Sequence, residues 1–274
     1  MLRTAIVYDF DGTLAPGNIQ EHAFLPNKKI KKEDFWKAVG REAKCTDSDE
    51  ILVYMRKMIE AANDDGKPLT RSALLEEGKS TPLFEGVEDW FDRINEYAVG
   101  IGLSLEHYII SSGIQEMIEG CKIADKFTHI FASKFLYNDA GEATWPGTAI
   151  NYTTKTQFLF RINKGVLNNW DRNTINKWVP MDQRPIPFER MIFIGDGDTD
   201  IPSMKMIRLQ GGYPIAVFDK KDWSEGGSSS EAHKKVFKLI SENRVDFVAA
   251  GDYTNGSQLD ITIKGILGRI GAGR

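Results

Sequence analysis

The sequence predicts an α/β chain: a doubly wound parallel sheet that carries a small helical domain inserted near its start. Three observations predict it. Short apolar runs recur without clean alternation, as strands buried on both faces require. Helix-period stretches separate most of these runs, the pattern of a sheet covered on both faces. The gap between the first and second runs is too long for one crossover helix.

The first run is residues 4–8, Thr-Ala-Ile-Val-Tyr, ending in Asp9-Phe10-Asp11-Gly12-Thr13, which reads as a loop. Further strands are predicted at 107–110, 128–132, 190–194, 214–218 and 245–249. Helices are predicted at 86–97, 113–122, 154–164, 199–209 and 229–242. From Asp11 to Ser111 is 100 residues. A strand-helix-strand crossover needs roughly 30, so about 70 are extra. They look helical: Phe35, Trp36 and Val39 recur at helical spacing, as do Ile51, Leu52, Met55 and Ile59, with Ser48 as the expected N-cap. The expected organisation is therefore a core of residues 1–14 and 86–274, with a helical domain at 15–85 inserted after the first loop.

The basic cluster Lys28, Lys29, Lys31, Lys32 suggests anion binding, but residues 15–85 hold 12 Lys+Arg against 13 Asp+Glu. A solvated face is the expected reading. Turn residues 138–141 between two β-prone pieces within 133–147 predict a projecting hairpin. Residues 221–230 read as a flexible loop, and Gly265, Gly268, Gly271 and Gly273 as a fraying end.

Composition narrows the function classes. The chain has 274 residues, enough for one or two domains. Its 35 Lys+Arg and 39 Asp+Glu give a net charge of -4, with no basic excess to recruit nucleic acid or an anionic membrane. Cys45 and Cys121 make neither a disulfide framework nor a Cys-rich zinc site. No apolar run approaches the ~18 residues of a membrane span. The run from Ala5 to Tyr8 is too short for a signal-peptide core, so a cytoplasmic protein is expected.

In doubly wound sheets, ligands bind outside the carboxyl ends of the strands. Three polar, glycine-bearing loops should converge there: Asp9 to Thr13, Ser111-Ser112-Gly113, and Gly195-Asp196-Gly197-Asp198-Thr199-Asp200. Asp-Gly pairs are common in turns. Two such loops at strand ends, however, gather Asp9, Asp11, Asp196 and Asp200. Those carboxylates would repel one another unless a cation neutralised them. Oxygen-only ligands favour Mg²⁺ over zinc. Ser111 to Gly113, opening a helix from Ile114 to Cys121, would offer a hydroxyl and free N–H groups to a phosphate. Lys155, at the start of another helix, is disfavoured there by the helix dipole, a cost that an anionic partner would explain.

At these motifs the chain resembles the haloacid dehalogenase superfamily of phosphohydrolases, over roughly residues 4–210. The insert is similar to the helical cap in the first cap position of the phosphoserine phosphatase-like branch. The resemblance implies a Rossmann-like core and a Mg²⁺-dependent phosphomonoester hydrolase acting on a small phosphorylated metabolite. Asp9 would be the nucleophile, forming an aspartyl-phosphate. Asp11 would protonate the leaving oxygen and then activate water. Mg²⁺ would be held by Asp9, the Asp11 backbone carbonyl and Asp196, with Asp200 supporting the metal shell or the lysine. Ser111, Ser112 and Gly113 would bind phosphoryl oxygens, and Lys155 would neutralise developing charge. Lys164 is the competing lysine.

Dehalogenases of the superfamily lack the second aspartate of the first motif, so Asp11 points away from them. Phosphoserine phosphatases carry a substrate-binding Glu nine residues after the nucleophile, where this chain has Asn18, with Glu21 out of register. Phosphoserine is therefore not the expected substrate. A phosphotransferase or mutase with the same intermediate is the alternative, followed by a phospho-ligand binding protein without turnover. His22 lies near the nucleophile loop, where a surface or core role is expected. The sequence leaves the particular substrate and the oligomeric state open.

Overall fold

The computed structural model describes residues 1–197, 199–225 and 231–273. Between β1 (Leu2–Tyr8) and β2 (Leu103–Ile114) lie α1 (Phe24–Asn27), α2 (Lys32–Thr46), α3 (Glu50–Asp64), α4 (Arg71–Gly78) and α5 (Val87–Gly100). Next come α6 (Gln115–Gly120), β3 (His129–Tyr137) and β4 (Ala143–Thr148). They are followed by α7 (Thr154–Lys164), α8 (Arg172–Asn176) and β5 (Met191–Gly195). The chain continues through α9 (Ile201–Leu209), β6 (Tyr213–Phe218), α10 (Lys220–Glu225), α11 (Glu231–Ser241), β7 (Phe247–Ala250) and α12 (Gln258–Gly271).

The strands form one seven-stranded sheet in the order β4-β3-β2-β1-β5-β6-β7. All neighbours are parallel except β3 and β4, which form the predicted hairpin. β1 pairs with β2 on one side (Tyr8 opposite Ile109) and with β5 on the other (Tyr8 opposite Ile194). The strand order thus reverses at β1, which leaves a crevice beyond its carboxyl end.

The two-sided burial of β1 explains why its sequence does not alternate. Ile6 and Tyr8 face one core with Trp90, Phe91 and Ile94 of α5 and Leu259, Ile263 and Leu267 of α12. Ala5 and Val7 face a second core with Phe158, Leu159 and Ile162 of α7 and Met204 and Ile207 of α9. Every one of these side chains is buried. The first core continues into residues 15–85 through Phe35 and Val39 of α2 and Val53, Tyr54 and Met55 of α3. Helix α4 packs on α6 at van der Waals distance between backbones. A Cβ on Gly78 would sit 1.9 Å from the Met117 carbonyl oxygen, and one on Gly120 2.0 Å from that of Leu75. Only glycine permits this approach.

Several local expectations need correction. Helix 113–122 does not open at the Ser-Ser-Gly loop: β2 runs on to Ile114, its register with β3 breaks between Ile110 and Ile114, and α6 starts at Gln115. The N-cap of α3 is Asp49, not Ser48, because its carboxylate accepts from the Ile51 and Leu52 amides. The buried face of α3 is Tyr54, Met55, Met58 and Ala62, whereas Leu52 is exposed. Residues 221–225 belong to α10 rather than to a loop, and 226–230 lie outside the described residues. The C-terminal glycines do not mark fraying. Ser257 caps α12, and Leu259, Ile263, Ile266, Leu267 and Ile270 are buried at helical spacing, so packing overrides the low propensity of Gly265 and Gly268. Among the described residues, no helix is long and apolar enough to cross a membrane.

Candidate active site

The crevice beyond β1 is a cavity of about 840 Å³, whose lining includes Asp9, Asp11, Ser111, Ser112, Asp196, Trp36 and Tyr54. Asp9 directly follows β1, and its amide donates to the Ile194 carbonyl of β5 (2.8 Å), which fixes it at the strand end. Its Oδ1 accepts from the Phe10 amide (2.7 Å), and its Oδ2 lies 2.8 Å from Lys155 Nζ. Lys155 Nζ also donates to Asp200 Oδ1 at 2.7 Å. Lys155 and Asp200 are fully buried, and Asp9 is nearly so. Lys155 stands one residue into α7, where its amide donates to the Asn151 carbonyl (3.0 Å) and closes the first turn. Burial by itself would push the lysine down, but Asp200 and Asp9 outweigh it and hold the ammonium above its ordinary value. The helix-dipole cost at this position is thus offset by two buried carboxylates.

Asp9, Asp196 and Asp200 can each offer an oxygen within 4.8 Å of the others. Asp11 is turned differently. Its Oδ1 accepts from the Ile19 amide at 2.8 Å, and its Oδ2 lies 2.9 Å from where a Cβ on Gly113 would stand. Glycine at 113 is what lets the Asp11 carboxyl lie against the Ser-Ser-Gly loop. Burial and then the neighbouring Asp9 push the Asp11 carboxyl well above the ordinary carboxylate range, which favours its protonated form. Burial and then Asp9 also push Asp200 up, against the pull of Lys155. Burial raises Asp196 against Lys235, whose Nζ is 3.0 Å from Asp196 Oδ2.

Ser111 is buried, and its Oγ accepts from the Gly113 amide at 3.0 Å. The Ser112 Oγ is buried in the cavity wall with no hydrogen-bond partner. The structure therefore brings Asp9, Asp11, Ser111, Ser112, Gly113, Lys155, Asp196 and Asp200 to one place. Asp198 lies outside the described residues. Lys164 is elsewhere: its Nζ donates to the carbonyls of Ile175 (2.6 Å) and Lys177 (2.8 Å), tying α7 to the segment after it. The His22 Nε2–H donates to the Pro16 carbonyl (2.6 Å), a local structural tie. Lys28 pairs with Asp65, while Lys29, Lys31 and Lys32 are exposed, in keeping with a solvated face. Glu21 Oε1 accepts from both Asn18 Nδ2 (2.6 Å) and Trp36 Nε1 (2.7 Å).

Sequence reasoning missed Lys235, Tyr54, Trp36 and the hydrogen bond between Asn151 and Asp49. Asp49 had one local signal, an acidic residue just before a helical run. Lys235 and Tyr54 had none, because they reach the site only through the fold of α11 and α3.

Comparison with known proteins gives a consistent result. The family model of haloacid dehalogenase-like hydrolases matches residues 6–205. An uncharacterized protein of Borreliella burgdorferi (strain ATCC 35210 / DSM 4680 / CIP 102532 / B31) is 28% identical over 282 residues, covering 93% of each chain. The crystal structure of the HAD family hydrolase t0658 from Salmonella enterica subsp. enterica serovar Typhi is similar with TM-score 0.59 and 14% identity, over 96% of this chain and 70% of that one. A phosphoserine phosphatase solved as a phospho-aspartyl intermediate analogue is similar with TM-score 0.55 and 17% identity, over 97% of this chain and 99% of that one.

Proposed function

The chain belongs to the haloacid dehalogenase-like hydrolases, and from that premise we propose that it is a Mg²⁺-dependent phosphomonoester hydrolase acting on a small phosphorylated metabolite. The observation that carries this is the buried line Asp9–Lys155–Asp200, whose Asp9 lines, with Asp11, a cavity large enough for a metabolite.

Asp9 is the nucleophile: a carboxylate oxygen attacks phosphorus and forms an aspartyl-phosphate as the ester oxygen leaves. Asp11 holds a proton for that leaving oxygen, then takes one from the water that attacks the intermediate. The two carboxyls suit these opposite tasks because Asp9 contacts a buried ammonium, whereas burial and the neighbouring Asp9 push Asp11 up, towards its protonated form. Lys155 neutralises charge on the transferring group and orients Asp9. The Ser111 hydroxyl, the Ser112 hydroxyl and the Gly113 amide bind phosphoryl oxygens, which would satisfy the partnerless Ser112 Oγ.

Three carboxylates with oxygen donors within 4.8 Å fit a hard divalent cation. Asp9, Asp196 and Asp200 would hold Mg²⁺, together with the Asp11 carbonyl. When bound, it supplies charge neutralisation between nucleophile and phosphoryl group. Residues 15–85 act as a cap over the core formed by 1–14 and 86–274, and their Trp36 and Tyr54 face the cavity. Release of inorganic phosphate from p-nitrophenyl phosphate with Mg²⁺, and from a panel of phosphorylated metabolites, tests the proposal. Asp9→Asn should lose about three or more orders of magnitude in turnover. Near-normal activity in that variant, with deamidation excluded by mass spectrometry, would end the covalent mechanism.

A further inference from the structure

We propose that Tyr54 is a positioning residue: from α3 it pins the peptide between Ser112 and Gly113, whose N–H holds Ser111 Oγ, and so leaves the Ser111 hydroxyl hydrogen to be donated to the phosphoryl group. This rests on the functional reading above. The Tyr54 hydroxyl donates to the Ser112 carbonyl at 2.5 Å, from a residue 58 positions away in the chain. That carbonyl and the Gly113 N–H belong to one planar unit, so holding the first fixes the direction of the second. The N–H then lies 3.0 Å from Ser111 Oγ, on the glycine that Asp11 closely approaches.

The peptide needs an outside tie. Pairing of β2 with β3 is regular to Ile110 opposite Phe131 and resumes only at Ile114 opposite Ser133. Pairing of β2 with β1 ends at Ile109. The three residues between are therefore not locked by ladder register, and Tyr54 supplies the constraint from across the cavity.

Tyr54 is itself well held. It is 2% exposed, and its ring packs edge-on against Trp36 (5.7 Å between centroids, 71°). Helix α3 is anchored a second time where Asn151 Nδ2 donates to Asp49 at its N-cap. Asn151 also supplies the carbonyl for the Lys155 amide. One helix of the inserted segment thus touches the loops bearing both the phosphate-binding hydroxyl and the lysine.

The test is Tyr54→Phe, which keeps the ring and removes the hydroxyl. With p-nitrophenyl phosphate and Mg²⁺, kcat should fall about ten- to a hundredfold, part of the loss seen when an oxyanion donor is removed outright. Inhibition by orthovanadate should weaken by a similar factor, while KM changes less than threefold. Met58→Ala, on the same helix but away from the loop, should lower the melting temperature and leave kcat near wild type. Wild-type kcat and vanadate affinity in Tyr54→Phe would overturn the proposal, as would a loss confined to KM or one matched by Met58→Ala. In those cases an inactive Asp9→Asn would leave the functional reading standing. A wild-type protein that neither releases phosphate nor binds vanadate would remove both. Should Tyr54→Phe fail to fold, the Gly113 amide resonance of the wild type decides: a large shift on adding orthovanadate with Mg²⁺ supports the proposal, and no shift overturns it.

Discussion

Lys155 Nζ lies 2.8 Å from Asp9 Oδ2, and neither side chain is more than 5% exposed. A cation is thus held against the Asp9 carboxylate in a space without bulk water, where charge interactions are strong. Asp200, 2.7 Å away on the other side, keeps that cation in place. Removing one member leaves the others buried without full compensation.

Lys155→Ala should therefore lower kcat by about a hundredfold or more. Lys164→Ala, which loses only carbonyl contacts beside α8, should stay within about threefold, the scale of a surface change. Steady-state kinetics on p-nitrophenyl phosphate rank the two, and the opposite ranking would move the catalytic role to Lys164.

Chelation should abolish turnover, and Mg²⁺ should restore it, because Asp9, Asp196 and Asp200 converge within 4.8 Å with oxygen donors only. Mg²⁺ should also raise the melting temperature of the resting protein, since binding only to the folded state stabilises it. Asp196→Ala should remove that rise. Full activity after exhaustive chelation, or restoration by Zn²⁺ alone, would refute the assignment.

Acid should destabilise the fold through His107. Trp90 Nε1–H donates to Tyr8 Oη (2.9 Å), Tyr8 donates to His107 Nδ1 (3.1 Å), and His107 Nε2–H donates to Asn95 Oδ1 (3.0 Å). Both ring nitrogens are satisfied by a neutral imidazole. Burial lowers its pKa from 6.5 to about 4. Above 6.5 the folded and unfolded chains are both neutral at this site. As pH falls from 6.5 towards 4 the unfolded chain binds a proton that the folded one refuses, so stability is lost across that window, by about 3 kcal/mol. Urea unfolding at pH 7.5, 6 and 4.5 measures the slope, which should be shallower in His107→Gln. Equal slopes in the two proteins would exclude His107 as its source.

Metabolite-sized phosphomonoesters should outcompete phosphoproteins in kcat/KM, because Trp36, Ile51 and Tyr54 of the inserted segment line the cavity and would narrow access to it. Substitutions within 15–30 should change preference among metabolites more than hydrolysis of p-nitrophenyl phosphate. A phosphoprotein favoured tenfold or more over every tested metabolite would contradict the cap assignment.

The parts of the site that lie at strand ends were legible from sequence. Asp9, Asp11, Asp196 and Asp200 follow apolar runs with glycine beside them, and the fold class says where such loops meet. Lys155 was legible as a cation where the helix dipole disfavours one. Tyr54 was hidden within its own helix: the expected pattern Ile51, Leu52, Met55, Ile59 shares Met55 with the buried face but includes the exposed Leu52 and omits Tyr54, whose polar hydroxyl is tied to β2 only by the fold. Lys235 stands in an ordinary amphipathic helix, and only the packing of α11 brings it to Asp196. The C-terminal glycines show the same limit in the fold: five buried apolar residues on α12 decided its structure.

The glycine contact of α4 with α6 ties one end of the inserted segment to the core. Helix α4 cannot lift from α6 without parting two backbones that touch, so it travels with the core. On the proposed cap reading, any opening would have to come from α1 to α3, which precede that contact in the chain. Such an opening would break the ties from Tyr54 to Ser112 and from Asn151 to Asp49 together. On that reading, entry of substrate and readiness for chemistry would exclude each other: with the door open the machinery behind it would be disarmed, and no phosphoryl group would pass to water before the right guest was enclosed.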